Sequence, residues 1–129
     1  MLTLTTSLIL TVLAAAGPAE IASPGAGIEE VVGDRVAGQP VSCIDMHRVQ
    51  GTRIIKDTAI IYDAGRTVYV NRPRGGAEGL DKWDVMVTKT AGRQLCSIDV
   101  VELRDSSSQM MTGLVFLGDF VPYRKPKAD

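Results

Sequence analysis

Thr58-Ala-Ile-Ile-Tyr62 and Thr67-Val-Tyr-Val-Asn71, separated by Asp63-Ala-Gly-Arg66, read as two strands and the turn between them. Both runs are built from β-branched and aromatic residues, and Gly65 supplies the positive φ that a tight hairpin loop demands. Further along, Trp83, Val85 and Val87 recur with a period of two, and Thr90-Ala-Gly-Arg93 turns the chain into a strand over Gln94 to Leu103. On that strand Cys96, Ile98 and Val100 share a face. Ser106 to Gln109 form a polar loop, and Gly113 to Phe120 supply a last strand with Leu114, Phe116 and Phe120 inward. Before the hairpin, Ser42 and Asp45 suit the cap of a short helix over Met46 to Val49, which Gly51 ends. The expected fold is mainly β: a small antiparallel barrel or curled sheet of five to six strands with one short N-terminal helix.

The chain divides by composition. Leu2 to Ala16 carry no charge and are mostly aliphatic, too short for a bilayer span and followed at once by Gly17-Pro18. This is the pattern of a secretory signal peptide over residues 1–19, cleaved between Ala16 and Glu20, although no basic residue precedes the apolar run. Residues 20–40 are rich in Gly, Ala, Pro and Glu and read as a flexible lead-in. Residues 41–123 form a single β-rich domain, and residues 124–129, with Arg124, Lys125 and Lys127 around Pro126, form a basic tail. About 110 residues after the leader hold one small core and no second domain.

Fourteen Lys and Arg oppose fifteen Asp and Glu. That balance lacks the basic excess of a nucleic-acid binder, and no stable membrane span is expected once the leader is removed. In an exported chain, a Cys43–Cys96 disulfide would staple the short helix to the sheet. Closing a loop of that length is worth roughly 4 kcal/mol on the entropic model. Two buried free thiols remain an alternative. A metal site is disfavoured because two cysteines and the sole histidine, His47, fall short of four ligands, and no cofactor motif is present.

The most distinctive loop is Asn71-Arg-Pro-Arg-Gly-Gly-Ala-Glu-Gly-Leu80. Arg72 and Arg74 offer guanidinium forks, and Gly75 and Gly76 can bring backbone N–H groups to the same anion. The spacing matches neither a Walker loop nor a dinucleotide fingerprint, and Glu78 and Asp81 are near enough to neutralise the arginines. A solvated, self-paired loop is the competing reading. His47 can serve as a base only with a carboxylate partner in a cleft. Asp57, Asp63, Asp84, Asp99 and Asp119 are scattered where turns and strand ends fall. Ser97 and Ser106 to Ser108 lack the context of a nucleophile.

Cys43-Ile-Asp, Thr58-Ala-Ile-Ile-Tyr62, Val68-Tyr-Val-Asn-Arg72, Gly75 to Val85, Leu95-Cys-Ser-Ile-Asp99 and Gly118-Asp-Phe-Val-Pro-Tyr123 follow in order along the domain. Together they resemble a family of small exported bacterial proteins known as a domain of unknown function. The resemblance implies a Gram-negative source and a periplasmic or secreted location, and it implies no activity or ligand. Members of that family often carry a further cysteine near the loop or the last strand, where this chain has none. Three functional readings follow. The first is an exported, non-enzymatic domain that binds a cell-envelope partner. The second is a small barrel binding an anionic ligand through Arg72, Arg74, Gly75 and Gly76. The third is a small hydrolase built on His47 and an aspartate.

Overall fold

Ala59-Ile-Ile-Tyr62 has no apolar–polar alternation because both of its faces are covered. Ile60 and Tyr62 enter one core, while Ala59 and Ile61 enter another. A strand buried on both sides reads as a continuous apolar run. The computed structural model describes residues 26–90 and 92–127, so the leader read at residues 1–19 lies outside the described residues.

In chain order the elements are helix α1 (Ala26–Val32), β1 (Val36–Ala37), β2 (Cys43–Asp45), a 3-10 turn (Met46–Arg48), β3 (Gly51–Ile55), β4 (Ala59–Ala64) and β5 (Thr67–Asn71). A second 3-10 turn (Ala77–Gly79), β6 (Asp84–Thr88), β7 (Gln94–Cys96), β8 (Val100–Asp105), β9 (Met111–Phe116) and β10 (Phe120–Arg124) follow. The expected β4–β5 hairpin forms, with Gly65 at φ 82° and its N–H donating to Asp63 Oδ1 at 2.8 Å.

The strands make three antiparallel sheets, ordered β1-β10-β5-β4-β3, β2-β7 and β6-β8-β9, and no closed barrel forms among the described residues. Among the described residues ten short strands stand where five or six were expected. Two cores result. The larger lies between the sheets and holds Tyr62, Leu80, Leu95, Leu103, Leu117 and Phe120, with the Tyr62 and Phe120 rings edge-on at 5.6 Å. The smaller lies on the other face of the five-stranded sheet, where Ile28 and Val32 of α1 cover Ile61, Val68 and Val70.

Within the stretch read as a flexible lead-in, Ala26–Val32 is a helix that packs on that smaller core. Ile28 and Val32 stand four apart, one turn of a helix, and both are buried. The helix stops at Gly33, whose φ of 59° suits glycine and whose N–H donates to Glu29 O. At the other end, Arg124 belongs to β10 rather than to a tail.

The helix expected over Met46 to Val49 is one 3-10 turn, and Asp45 alone caps it, accepting the His47 N–H at 2.9 Å. Ser42 is instead a strand neighbour: its carbonyl accepts the Ser97 N–H. Cys43 therefore sits in β2, directly opposite Cys96 in β7, and the two form a disulfide. The bond is the expected one, but it ties strand to strand, not helix to sheet.

Sidedness departs from expectation in three strands. The run Gln94 to Leu103 breaks at a turn in which the Asp99 N–H donates to Cys96 O at 2.9 Å and Asp99 Oδ2 accepts the Cys96 N–H at 2.7 Å, interrupting the extended backbone. On both sides of that break the inward residues are the odd ones, the opposite of the expected Cys96, Ile98 and Val100 face: Leu95, Val101 and Leu103 are buried while Ile98 is 81% exposed. The last strand divides at Leu117 to Asp119 into β9 and β10, with Val115, Leu117 and Phe120 inward and Leu114 and Phe116 outward. In β6 it is Met86 that packs against the core, whereas Trp83 is 70% exposed under the Lys82 ammonium.

If the 20–40 region contributes a core helix, Ile28→Ala lowers unfolding stability by about 2–5 kcal/mol through the cavity it leaves. Urea denaturation measures this. An unchanged midpoint would return the segment to a loose lead-in.

Candidate functional site

The loop after β5 follows Asn71, which closes that strand and is the one buried polar residue among the described residues. Asn71 Nδ2 donates to Gly118 O at 2.7 Å and Oδ1 accepts the Gly118 N–H at 2.9 Å, so both halves of the amide are satisfied. Arg74 follows the same pattern. Its Nε donates to Leu117 O at 2.8 Å and its Nη2 to Ser97 O at 2.9 Å, while its backbone N–H donates to Phe116 O. The guanidinium that suits an anion thus binds the carbonyls of two other turns. Arg72 is exposed and makes no hydrogen bond or ion pair among the described residues.

Gly75 and Gly76 are explained by close approach. Gly75 exchanges backbone hydrogen bonds with Phe116, and Gly76 sits at φ 83° where an added Cβ would collide with the Leu114 carbonyl oxygen. Neither arginine pairs with Glu78 or Asp81 among the described residues, and Asp81 Oδ1 instead accepts the Trp83 N–H. The self-paired loop is therefore replaced by a loop anchored to backbone. Arg72, Arg74, Gly75 and Gly76 lie together in sequence, but Arg74 and both glycines are committed to holding β9 and the turn after it.

His47 is exposed on the 3-10 turn, and its imidazole has no hydrogen-bond partner among the described residues. Asp45 engages the backbone N–H of His47, the geometry of a cap. The scattered aspartates serve local structure: Asp63 accepts from Gly65, Asp99 from Cys96, Asp57 sits at φ 56°, and Asp84, opening β6, accepts the Thr112 hydroxyl at 3.0 Å. Ser107 and Ser108 are donors to Asp105 Oδ1. The Ser108 backbone N–H, then the Ser107 hydroxyl and N–H and the Ser108 hydroxyl, hold the Asp105 carboxyl below its ordinary range. Among the described residues no group of three or more His, Cys, Asp and Glu is placed to hold a metal ion.

A different surface emerges from the altered sidedness of β6, β8 and β9. Their outward residues align in three rows: Val100 opposite Phe116, then Val87, Glu102 and Leu114, then Val85, Arg104 and Met111. Phe116 is 47% and Leu114 43% exposed, and Val85 and Met111 are exposed beside them. Within this apolar frame the Glu102 side chain is only 17% exposed, 3.5 Å from Lys89 Nζ and 3.7 Å from Arg104 Nη2. Glu102 Oε2 and Arg104 Nε are buried with no hydrogen-bond partner among the described residues. Sequence reasoning placed Leu114 and Phe116 inside and missed this face. The signal was Glu102 itself: in Val100-Val-Glu-Leu103 the acid fixes which parity is outward.

Comparison with family models, curated proteins and solved structures finds no match to this chain.

Gly76→Ala should cost about 2–4 kcal/mol, from backbone strain plus the collision with Leu114. Gly92→Ala has a similar strain at φ 99° with open space around it and should cost about 1 kcal/mol. Thermal melts of the two variants measure the difference, and equal shifts would mean that close packing of the loop on β9 is not what selects glycine.

Proposed function

We propose that this chain is an exported, non-enzymatic domain that binds a partner protein of the cell envelope through the outer face of β6, β8 and β9. The observation that carries the reading is the row geometry of that face, where Val85, Val87, Val100, Met111, Leu114 and Phe116 flank Glu102 and Arg104 of the central strand, with Lys89 paired to Glu102. Contiguous exposed apolar surface marks an interaction site, and the charges set within it would add electrostatic selectivity for a partner. Export is supported by the uncharged run Leu2 to Ala16 and by the Cys43–Cys96 disulfide, which persists in an oxidising compartment. Among the described residues no helix is long and apolar enough to cross a membrane. The anion-binding reading of Arg72 and Arg74 draws no support from Arg74, whose guanidinium is hydrogen-bonded to carbonyls. The hydrolase reading finds no carboxylate bonded to the His47 ring among the described residues.

A photo-crosslinking side chain placed at Leu114 in intact cells tests the docking face. The expected result is a discrete adduct with a second protein that disappears with Val85→Lys, a change at an exposed position that leaves the melting temperature within a few degrees. An adduct with another copy of this chain would make the face a homo-oligomer interface. Crosslinking no stronger than from exposed Lys56 would overturn the proposal.

A further inference from the structure

The antiparallel pairing of β5 with β10 sets Thr67 opposite Arg124, which brings the tip of the β4–β5 hairpin beside the C-terminal segment. Between them lies an open cleft of about 900 Å³ lined by Gly65, Arg66, Arg124, Lys125, Pro126 and Lys127. Four of the six lining residues are cationic and none is acidic. No ion pair neutralises any of the four among the described residues. Asp63, the carboxylate nearest Arg66 in sequence, accepts the Gly65 N–H and serves the turn. Arg124 is held against β5 by its Nε donating to Thr67 Oγ1 at 3.3 Å, and Pro126 restricts the backbone between the two lysines.

Four like charges around one cleft repel one another, and an anion seated among them removes that repulsion while their field raises its local concentration. Guanidinium groups match the oxygens of a phosphate, and lysine ammonium groups add point charge. We infer that this cleft binds a phosphate group, free or as the headgroup of an anionic lipid, through Arg66, Arg124, Lys125 and Lys127. The site stands on a different sheet from the proposed docking face, so either can fail alone.

The test uses protein purified from cells expressing the full 129-residue sequence. Binding to pyrophosphate is followed by calorimetry, and binding to vesicles of phosphatidylcholine with or without phosphatidylglycerol is followed by co-sedimentation. The triple variant Arg66→Gln, Lys125→Gln, Lys127→Gln spares Arg124 and its bond to Thr67. A charge-matched control carries Arg53→Gln, Lys56→Gln and Lys82→Gln, all at exposed positions. The expected result is binding to phosphatidylglycerol vesicles that weakens on the order of a hundredfold in the first variant and little in the control. Binding to pyrophosphate as well identifies the phosphate group itself as the ligand, whereas vesicle binding alone identifies the lipid headgroup as its source. No binding to either probe at low salt, or equal loss in both variants, overturns the inference.

Discussion

The amide of Asn71 on the backbone of Gly118 is the constraint on which the other arrangements rest. Asn71 ends β5, pairs with Ile60 of β4 on one side and Phe120 of β10 on the other, and is wholly buried. A buried amide left without partners would cost on the order of 1–3 kcal/mol for each unsatisfied group, so its two bonds fix where residue 118 must lie. The approach is so close that a Cβ on Gly118 would collide with the Arg72 carbonyl oxygen. Once Gly118 is placed, Leu117 and Phe120 fall into the larger core and the Arg74 guanidinium finds the carbonyls of Leu117 and Ser97. The same contacts align β9, which sets the outward row of Leu114 and Phe116.

The Cys43–Cys96 disulfide reinforces this frame from the opposite direction. It ties β2 to β7, and the Asp99 turn after β7 reaches β9 through Leu117, whose N–H donates to Asp99 O at 3.3 Å. Strand edges that would otherwise be held by a few backbone hydrogen bonds are thereby joined covalently. Tyr62, whose hydroxyl has no hydrogen-bond partner among the described residues, shows how apolar the enclosed space is; burial raises its pKa well above the ordinary value.

The β4–β5 hairpin was legible because its turn chemistry is local: Gly65 and Asp63 specify it without help from the rest of the chain. The disulfide was legible from the cysteine count and the uncharged apolar run Leu2 to Ala16, although the element carrying Cys43 was not. What failed was strand sidedness. In Leu114-Val-Phe-Leu117 both parities are apolar, so periodicity cannot choose between them, and the choice is made by the remote Asn71–Gly118 contact. Ile28 and Val32 were hidden in a stretch whose Gly, Pro and Glu content resembles a linker, because helix α1 is stabilised by packing on β4 and β5 rather than by its own propensity. The Arg72–Gly76 loop looked like a ligand cradle for the same reason. Residues suited to bind an anion are equally suited to bind carbonyl oxygens and to admit a close backbone.

Hydrogen exchange resolved by residue tests the central claim that the loop from Asn71 to Gly76 is part of the framework. The amides of Arg74, Phe116 and Gly118 donate to Phe116 O, Gly75 O and Asn71 Oδ1, respectively. The account predicts that all three exchange as slowly as the amides of the core strands β4 and β5. Exchange at the rate of an unstructured peptide would contradict it and return the loop to solvent.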